Sequence, residues 1–134
     1  MAFRKFKQNK LWRDKAIELM EQTGSKVTWK RLDDAAFAAE LKTKFMEEAQ
    51  EVCSAQSKET LIEEFADILE VITAWGSLYG YTLADVVKAQ QQKLQKRGGF
   101  QERKFVTVAE HLEGSFGEQY CLADPKKYPE IIDE

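Results

Sequence analysis

The chain contains 134 residues with a formal net charge of −3, a usual size for one domain and long enough for a real hydrophobic core. A hydrophobic fraction of 43% beside a charged fraction of 32% is typical of a soluble globular protein, and the small negative charge gives no general reason to expect nucleic-acid or membrane binding. No apolar run is long enough to cross a bilayer, and no apolar segment follows the basic N-terminus as in a secretory signal. We therefore expect a cytoplasmic protein whose cysteines, Cys53 and Cys121, are reduced.

Helix-period spacing of the apolar residues and a content of only two prolines predict an all-α chain. Asp33 and Ser57 are residues that cap helix N-termini, and Gly80 suits a helix end. Thr82 and Asp85 resemble a capping box that opens a fourth helix. The predicted helices cover residues 10–24, about 34–54, about 58–79 and 82 to about 97, and the short turn at 54–57 makes the second and third antiparallel. Residues 25–32 are predicted to form a loop or a short extended segment.

We expect a single all-α domain, with a four-helix bundle-like core over about residues 10–100 and a mostly irregular C-terminal extension over about residues 101–134. The extension has too many large apolar residues for a disordered charged tail. Residues 104–108 predict a short strand and residues 114–117 a turn. His111, the only histidine, lies in this extension and is interpreted as a surface residue. We expect the extension to fold over the bundle or onto a neighbouring subunit.

Two carboxylates lie on the apolar side of the second predicted helix, where residues turn by about 100° each. Its apolar stripe contains Phe37, Leu41, Phe45 and Val52. Glu48 falls inside this stripe and Glu51 at its edge.

The third predicted helix repeats this pattern. Its stripe contains Leu61, Phe65, Ile68, Leu69, Ile72 and Trp75, with Glu64 inside it and Asp67 at its edge. Packing the two stripes together brings four carboxylates to one place.

Such a cluster needs a compensating positive charge, because an ionised carboxylate is costly to remove from water and like charges raise one another's pKa. On the second predicted helix only Lys44 lies on the same inward side. Oxygen ligands without Cys or His are typical of a hard divalent cation, so we predict a Mg²⁺ site, with Mn²⁺ as an alternative ion. The competing interpretation is a set of ordinary surface glutamates on charged helices.

Basic residues follow at the end of the fourth predicted helix. Lys93 and Arg97 lie one turn apart beside its apolar stripe, before Gly98 and Gly99. A glycine pair leaves backbone N–H groups accessible, which suits the approach of a phosphate. A plain helix C-cap, with basic residues complementing the helix dipole, gives the same sequence.

Three motifs in this order resemble a known family. Glu47-Glu48-x-x-Glu51, twelve residues, then Glu64-x-x-Asp67 is similar to the metal-binding signature of the MazG-like all-α nucleoside triphosphate pyrophosphohydrolases. The segments 10–15 (KLWRDK) and 93–100 (KLQKRGGF) resemble the opening and closing motifs of the branch related to phosphoribosyl-ATP pyrophosphohydrolase. Together they span residues 10–100.

The resemblance implies an all-α NTP pyrophosphatase fold and a Mg²⁺-dependent enzyme that splits a nucleoside triphosphate into a monophosphate and pyrophosphate. It implies the metal ligands Glu48, Glu51, Glu64 and Asp67, with Glu47 and Glu48 as the catalytic carboxylates. It implies phosphate contacts from Arg13, Lys15, Lys93 and Arg97. It also implies a homodimer or homotetramer.

The extension after residue 100, absent from minimal members of that branch, favours removal of unwanted nucleotides over phosphoribosyl-ATP hydrolysis in histidine synthesis. A non-catalytic helical assembly module is the alternative from another class. A ferritin-like di-iron protein is disfavoured because no histidine lies on a predicted helix.

Overall fold

The computed structural model describes residues 2–133. Over these residues the chain forms α-helices and no strand, which confirms the all-α prediction. The five helices are α1 (Ala16–Gln22), α2 (Asp34–Ser54), α3 (Lys58–Tyr79), α4 (Leu83–Arg97) and α5 (Phe116–Leu122). None of them is long and apolar enough to span a membrane.

The two long helices begin and end where the sequence predicts, because their caps are encoded locally. The Asp33 side chain accepts a hydrogen bond from the backbone N–H of Ala36 at 2.8 Å, and the Ser57 hydroxyl accepts one from Thr60 at 3.1 Å. Each bond satisfies an N–H group that would otherwise lack a partner in the first turn. α3 ends at Gly80, which adopts a left-handed φ of 76° that glycine accepts without steric cost.

The predicted capping box at the start of α4 is confirmed. The Thr82 backbone N–H donates to the Asp85 carboxylate at 2.8 Å, and the Asp85 N–H donates to the Thr82 hydroxyl at 3.3 Å. The preceding Tyr81 packs over Gly76, where a Cβ atom would collide with the Tyr81 carbonyl oxygen. Its hydroxyl donates to the Ile72 carbonyl at 2.8 Å. These contacts fix the connection between α3 and α4.

Two local predictions are wrong, and a third is confirmed only in part, since residues 113–115 form a turn and a bend but residues 116 and 117 are helical. The first helix begins at Ala16 rather than near residue 10, and no side chain caps its N-terminus. Residues 104–108 are irregular, not a strand. The segment predicted as a turn at 114–117 opens α5, where Ser115 accepts from the Glu118 N–H at 3.3 Å and Glu118 accepts from the Gly114 N–H at 2.9 Å. The spacing Ser115-x-x-Glu118 is a capping-box pattern that sequence reading had available.

The hydrophobic core lies between α2 and α3, the two helices that pack side by side in the described chain. Leu41 of α2 and Val71 of α3 are its buried residues, and Phe45 meets Trp75 edge-on with ring centroids 6.3 Å apart. The predicted stripe of α3 is only partly buried, since Phe65 is 49% exposed and its neighbour Leu69 is 46% exposed. Apolar residues surround more of α3 than one partner helix can cover.

The chain divides into two compact units, residues 1–96 and residues 97–134. The first contains α1 to α3 and most of α4. In the second, α5 and the residues after it form an aromatic row, with ring centroids 6.1 Å apart for Phe116 and Tyr120 and 5.6 Å apart for Tyr120 and Tyr128. No described side chain of the second unit is buried. A single domain stays a prediction.

Candidate metal centre

Three of the predicted ligands meet between α2 and α3. Glu48, Glu64 and Asp67 each offer a carboxylate oxygen, and these oxygens lie within 4.8 Å of one another. Glu48 is buried, with 7% of its surface exposed, and the other two are half-buried. Glutamate is seldom buried without a partner, so the position of Glu48 is the unusual feature of this cluster.

Helix geometry explains why the sequence brings these groups together. Glu48 follows the buried Leu41 by seven residues, two turns of α2, and therefore projects from the same side of the helix. Glu64 and Asp67 are three residues apart on α3 and are neighbours on its surface. When the apolar sides of α2 and α3 pack, the three carboxylates converge.

Cations from two parts of the chain partly neutralise the cluster. The Lys44 ammonium lies 3.5 Å from Glu48 and 3.6 Å from Glu47. The Arg13 guanidinium, from the loop before α1, donates to Asp67 at 2.7 Å, and Lys10 approaches Glu47 at 4.0 Å. Sequence reasoning found Lys44, but it missed Arg13 as a partner of Asp67, because it placed residue 13 in a helix, whereas Arg13 lies in the loop before α1.

The electrostatics show that this compensation is incomplete. Desolvation is the largest cause that raises the pKa of Glu64, and the hydrogen-bonding contact with Glu48 raises it further. The negative charges of Glu48, Asp67 and Glu51 also raise this pKa. The hydrogen bond to Asp67 raises the pKa of Arg13, so this guanidinium stays charged. An ionised Glu64 is therefore disfavoured by its surroundings, as expected of a ligand that lacks its cation.

The donor set fits a hard divalent cation. Ligands of Mg²⁺ lie about 2.1 Å from the ion, so two opposite oxygens are separated by about 4.2 Å. The 4.8 Å spread of the three carboxylate oxygens is close to this span, and small side-chain rotations would close the difference. All three donors are oxygen atoms, which favours Mg²⁺ or Mn²⁺ over softer metals.

The remaining predicted site residues have different places. Glu51 is exposed and lies outside the cluster of three, although its charge still reaches Glu64. Glu47 lies one position before Glu48 and is held by its two lysine partners. Lys15 precedes α1 and Lys93 lies on α4, both exposed, and in the described chain neither forms an ion pair.

Arg97 ends α4 and belongs to the second unit. With Gly98 and Gly99 it lines an open cavity of about 260 Å³, to which Arg103 and Lys104 also contribute. Gly98 has a φ of 82°, a conformation that glycine adopts readily. Glu102 lines the same cavity and pairs with Lys104 at 3.1 Å, so Arg97 and Arg103 are its cations that form no ion pair in the described chain. The assignment of Arg97 to phosphate binding stays a prediction.

Comparison with known proteins identifies the family. A family model for phosphoribosyl-ATP pyrophosphohydrolase matches residues 16–94, which include α2, α3 and all three clustered carboxylates. The chain belongs to this family. The phosphoribosyl-ATP pyrophosphohydrolase family is part of the MazG-like all-α superfamily, so the resemblance seen in the sequence motifs is confirmed.

A curated relative extends the comparison only in part. The chain is 44% identical over 48 residues to the uncharacterized protein YvdC of Bacillus subtilis (strain 168), a match that covers 36% of this chain. The match spans less than half of the relative, 45% of its length. No solved structure matches the chain significantly.

Proposed function

We propose that the protein is a Mg²⁺-dependent pyrophosphohydrolase that converts a nucleoside triphosphate and water into a monophosphate and pyrophosphate. The observation that supports this most strongly is the meeting of Glu48, Glu64 and Asp67 within 4.8 Å, in a member of a pyrophosphohydrolase family. A buried glutamate and a glutamate with a raised pKa are typical of functional sites. A cytoplasmic location is part of the proposal.

The residues divide into three roles. Glu48, Glu64 and Asp67 hold the cation, with Glu51 as a fourth ligand if its side chain turns inward. When bound, the divalent cation neutralises the phosphate chain and stabilises the charge that develops at phosphorus. Glu47, next to Glu48 and 37% exposed in its side chain, orients the attacking water.

The chemical balance of the proposed reaction is simple. The water oxygen forms a bond to the α-phosphorus, the bond from this phosphorus to the bridging oxygen breaks, and pyrophosphate leaves. Glu47 accepts the proton of the water. The basic residues Arg13, Lys15, Lys93 and Arg97 bind the phosphates and stabilise the leaving group.

Two substrate classes compete. The matching family model is named for phosphoribosyl-ATP hydrolysis, which favours that substrate. The residues after the family match, 95–134, include the irregular extension and α5, and we propose that they serve selection of a non-canonical nucleotide for removal. Both substrates carry the same phosphoanhydride, so the cluster itself does not distinguish them.

The proposal includes a homodimer or homotetramer. The chain exposes 12839 Å² of surface, whereas a compact protein of 15.5 kDa exposes about 7,000 Å². Even two separate compact bodies, with the sizes of the two units, would together expose only about 8,500 Å². The excess of about 4,300 Å² per chain is large enough to supply an obligate subunit interface, which buries about 2,000–5,000 Å² or more over both partners together.

One experiment tests the function. Purified protein is incubated with Mg²⁺ and a panel of canonical and modified nucleoside triphosphates together with phosphoribosyl-ATP, and monophosphate and pyrophosphate are quantified. We expect metal-dependent release of both products in equal amounts. A preference for phosphoribosyl-ATP would assign the protein to histidine synthesis. No release from any substrate would overturn the enzymatic proposal in favour of a helical assembly module.

A further inference from the structure

Arg13 binds the carboxylate of Asp67, which is one of the ligands of the proposed cation. Its guanidinium donates to an oxygen of Asp67 at 2.7 Å, the shortest ion pair in the described chain. Charge-assisted bonds of this length are strong. In the metal-free protein, Arg13 supplies part of the positive charge that the carboxylate cluster lacks.

Among the described residues two cations, Arg13 and Lys44, contact the cluster, and they are held differently. Lys44 lies on α2 itself, four residues before Glu48, and its side chain is only 23% exposed. Arg13 lies in the segment before α1, outside any helix, and its side chain is 59% exposed. Rotation of Arg13 away from Asp67 breaks no helix and leaves the guanidinium in water. Lys44 has no comparable freedom.

A cation bound at the cluster would repel this guanidinium. A carboxylate oxygen of Asp67 lies within 4.8 Å of carboxylate oxygens of Glu48 and Glu64. The Asp67 carboxylate also accepts a hydrogen bond from the Arg13 guanidinium. A divalent charge among these oxygens therefore lies only a few ångströms from the positive charge of Arg13, where Coulomb repulsion is large. The phosphates of a substrate offer Arg13 a new partner, because a guanidinium binds phosphate through paired hydrogen bonds.

We propose that Arg13 acts as a displaceable counter-ion, which holds Asp67 in the metal-free protein and transfers to the substrate phosphates when the divalent cation binds. This inference rests on the proposed function. It makes Arg13 a positioning residue with opposite effects on two steps: it competes with the metal and assists the substrate. The exchange couples metal loading to the arrival of an anionic substrate.

The test measures both steps in Arg13→Met. Binding of Mn²⁺ without nucleotide is followed by the electron paramagnetic resonance signal of free Mn²⁺, and kcat/KM is measured with the preferred substrate. We expect Mn²⁺ affinity to rise about two- to fivefold, the equivalent of one exposed ion pair. We expect kcat/KM to fall about tenfold or more, because a charge-assisted phosphate contact is lost.

Two further variants serve as controls. Arg31→Met removes the same charge from a residue that stacks on Trp29 and forms no ion pair in the described chain, and it should change neither quantity. Arg13→Lys keeps a charge without the planar fork, and both of its effects should be intermediate.

The direction in which Mn²⁺ affinity changes in Arg13→Met decides whether Arg13 and the cation compete for Asp67. Weaker binding in Arg13→Met would mean that Arg13 supports Asp67 as a ligand, and unchanged binding would mean that the two cations do not compete. Either result overturns the inference while leaving the metal site intact. Failure of wild-type protein and Arg13→Met alike to bind Mn²⁺ would overturn both this inference and the proposed metal site.

Discussion

The two sides of α3 differ in chemical character, since one carries carboxylates and the other carries exposed apolar side chains. The side that faces α2 carries Glu64 and Asp67, charged groups that meet a buried glutamate and nearby cations within one chain. The outer side carries Ile62, Phe65 and Leu69, apolar groups that are 57%, 49% and 46% exposed. On the inner side the negative charge of the carboxylates is only partly neutralised, and on the outer side apolar surface is left exposed to solvent. The inner side is the site that we propose for the cation, and the outer side is the assembly surface that we propose for the subunit contact.

The contrast explains how one helix serves two purposes. Residues 62, 65 and 69 are three and four positions apart and share one face of α3, whereas 64 and 67 project elsewhere. The proposed metal site and the proposed assembly surface are therefore separate. Changes on one side should leave the function of the other largely intact unless assembly itself is needed for activity.

The largest effect is expected on the inner side. Glu64→Gln removes one negative ligand with little change in size, and turnover with Mg²⁺ should fall by about 100-fold or more because the cation loses both charge and position. Steady-state pyrophosphate release measures this. Glu63→Gln changes the adjacent glutamate, an exposed residue outside the cluster, and should keep activity within about twofold. Equal losses in the two variants would show that the inner side has no special role.

The outer side is tested by Leu69→Glu. A charge there should prevent the burial of the apolar stripe, so the oligomer should dissociate and the mass by light scattering should fall to that of one chain. Ser77→Glu introduces the same charge at another exposed position of α3 and should leave the mass unchanged. An intact oligomer in Leu69→Glu would place the subunit contact on a different surface.

A smaller effect concerns stability and pH. The pKa of Glu64 is raised above its ordinary value of 4.5, so the folded protein binds this proton more tightly than the unfolded chain does. In metal-free protein this group therefore lowers stability as pH rises from about 4.5 through the raised pKa, and the loss is complete above it. Glu64→Gln should raise the melting temperature at neutral pH and flatten its pH dependence.

Two observations check the pH account. The melting temperatures of the two proteins should converge as the pH falls below 4.5, where Glu64 becomes protonated in both the folded and the unfolded state. Saturating Mg²⁺ should reverse the order at neutral pH, because only the wild type gains the free energy of binding. A Glu64→Gln variant that is less stable than wild type in metal-free buffer would contradict the raised pKa.

Sequence reasoning succeeded where the determinants are local. The caps at Asp33, Ser57 and Thr82 fixed the starts of α2, α3 and α4, and helix periodicity placed Glu48 beside the buried Leu41. The convergence of Glu48 with α3 then followed from the short turn between the two helices.

The failures concern residues whose positions depend on contacts distant in sequence. Arg13 pairs with Asp67 across 54 positions from a loop that has no period. Phe65 and Leu69 belong to an apolar stripe that periodicity predicts to be buried, yet the described part of the chain leaves both about half exposed. The missed α5 is different, since its capping pattern at Ser115 is present in the sequence and was outweighed by two flanking glycines.

The central claim is that three carboxylates between α2 and α3 hold a divalent cation. The most direct test is a crystal structure of the protein with Mn²⁺, using anomalous scattering to locate the ion. We predict one strong peak about 2.1 Å from oxygens of Glu48, Glu64 and Asp67, with the Arg13 guanidinium turned away from Asp67. A crystal grown in saturating Mn²⁺ that shows no anomalous peak at these carboxylates, or shows the ion bound elsewhere, would contradict the account.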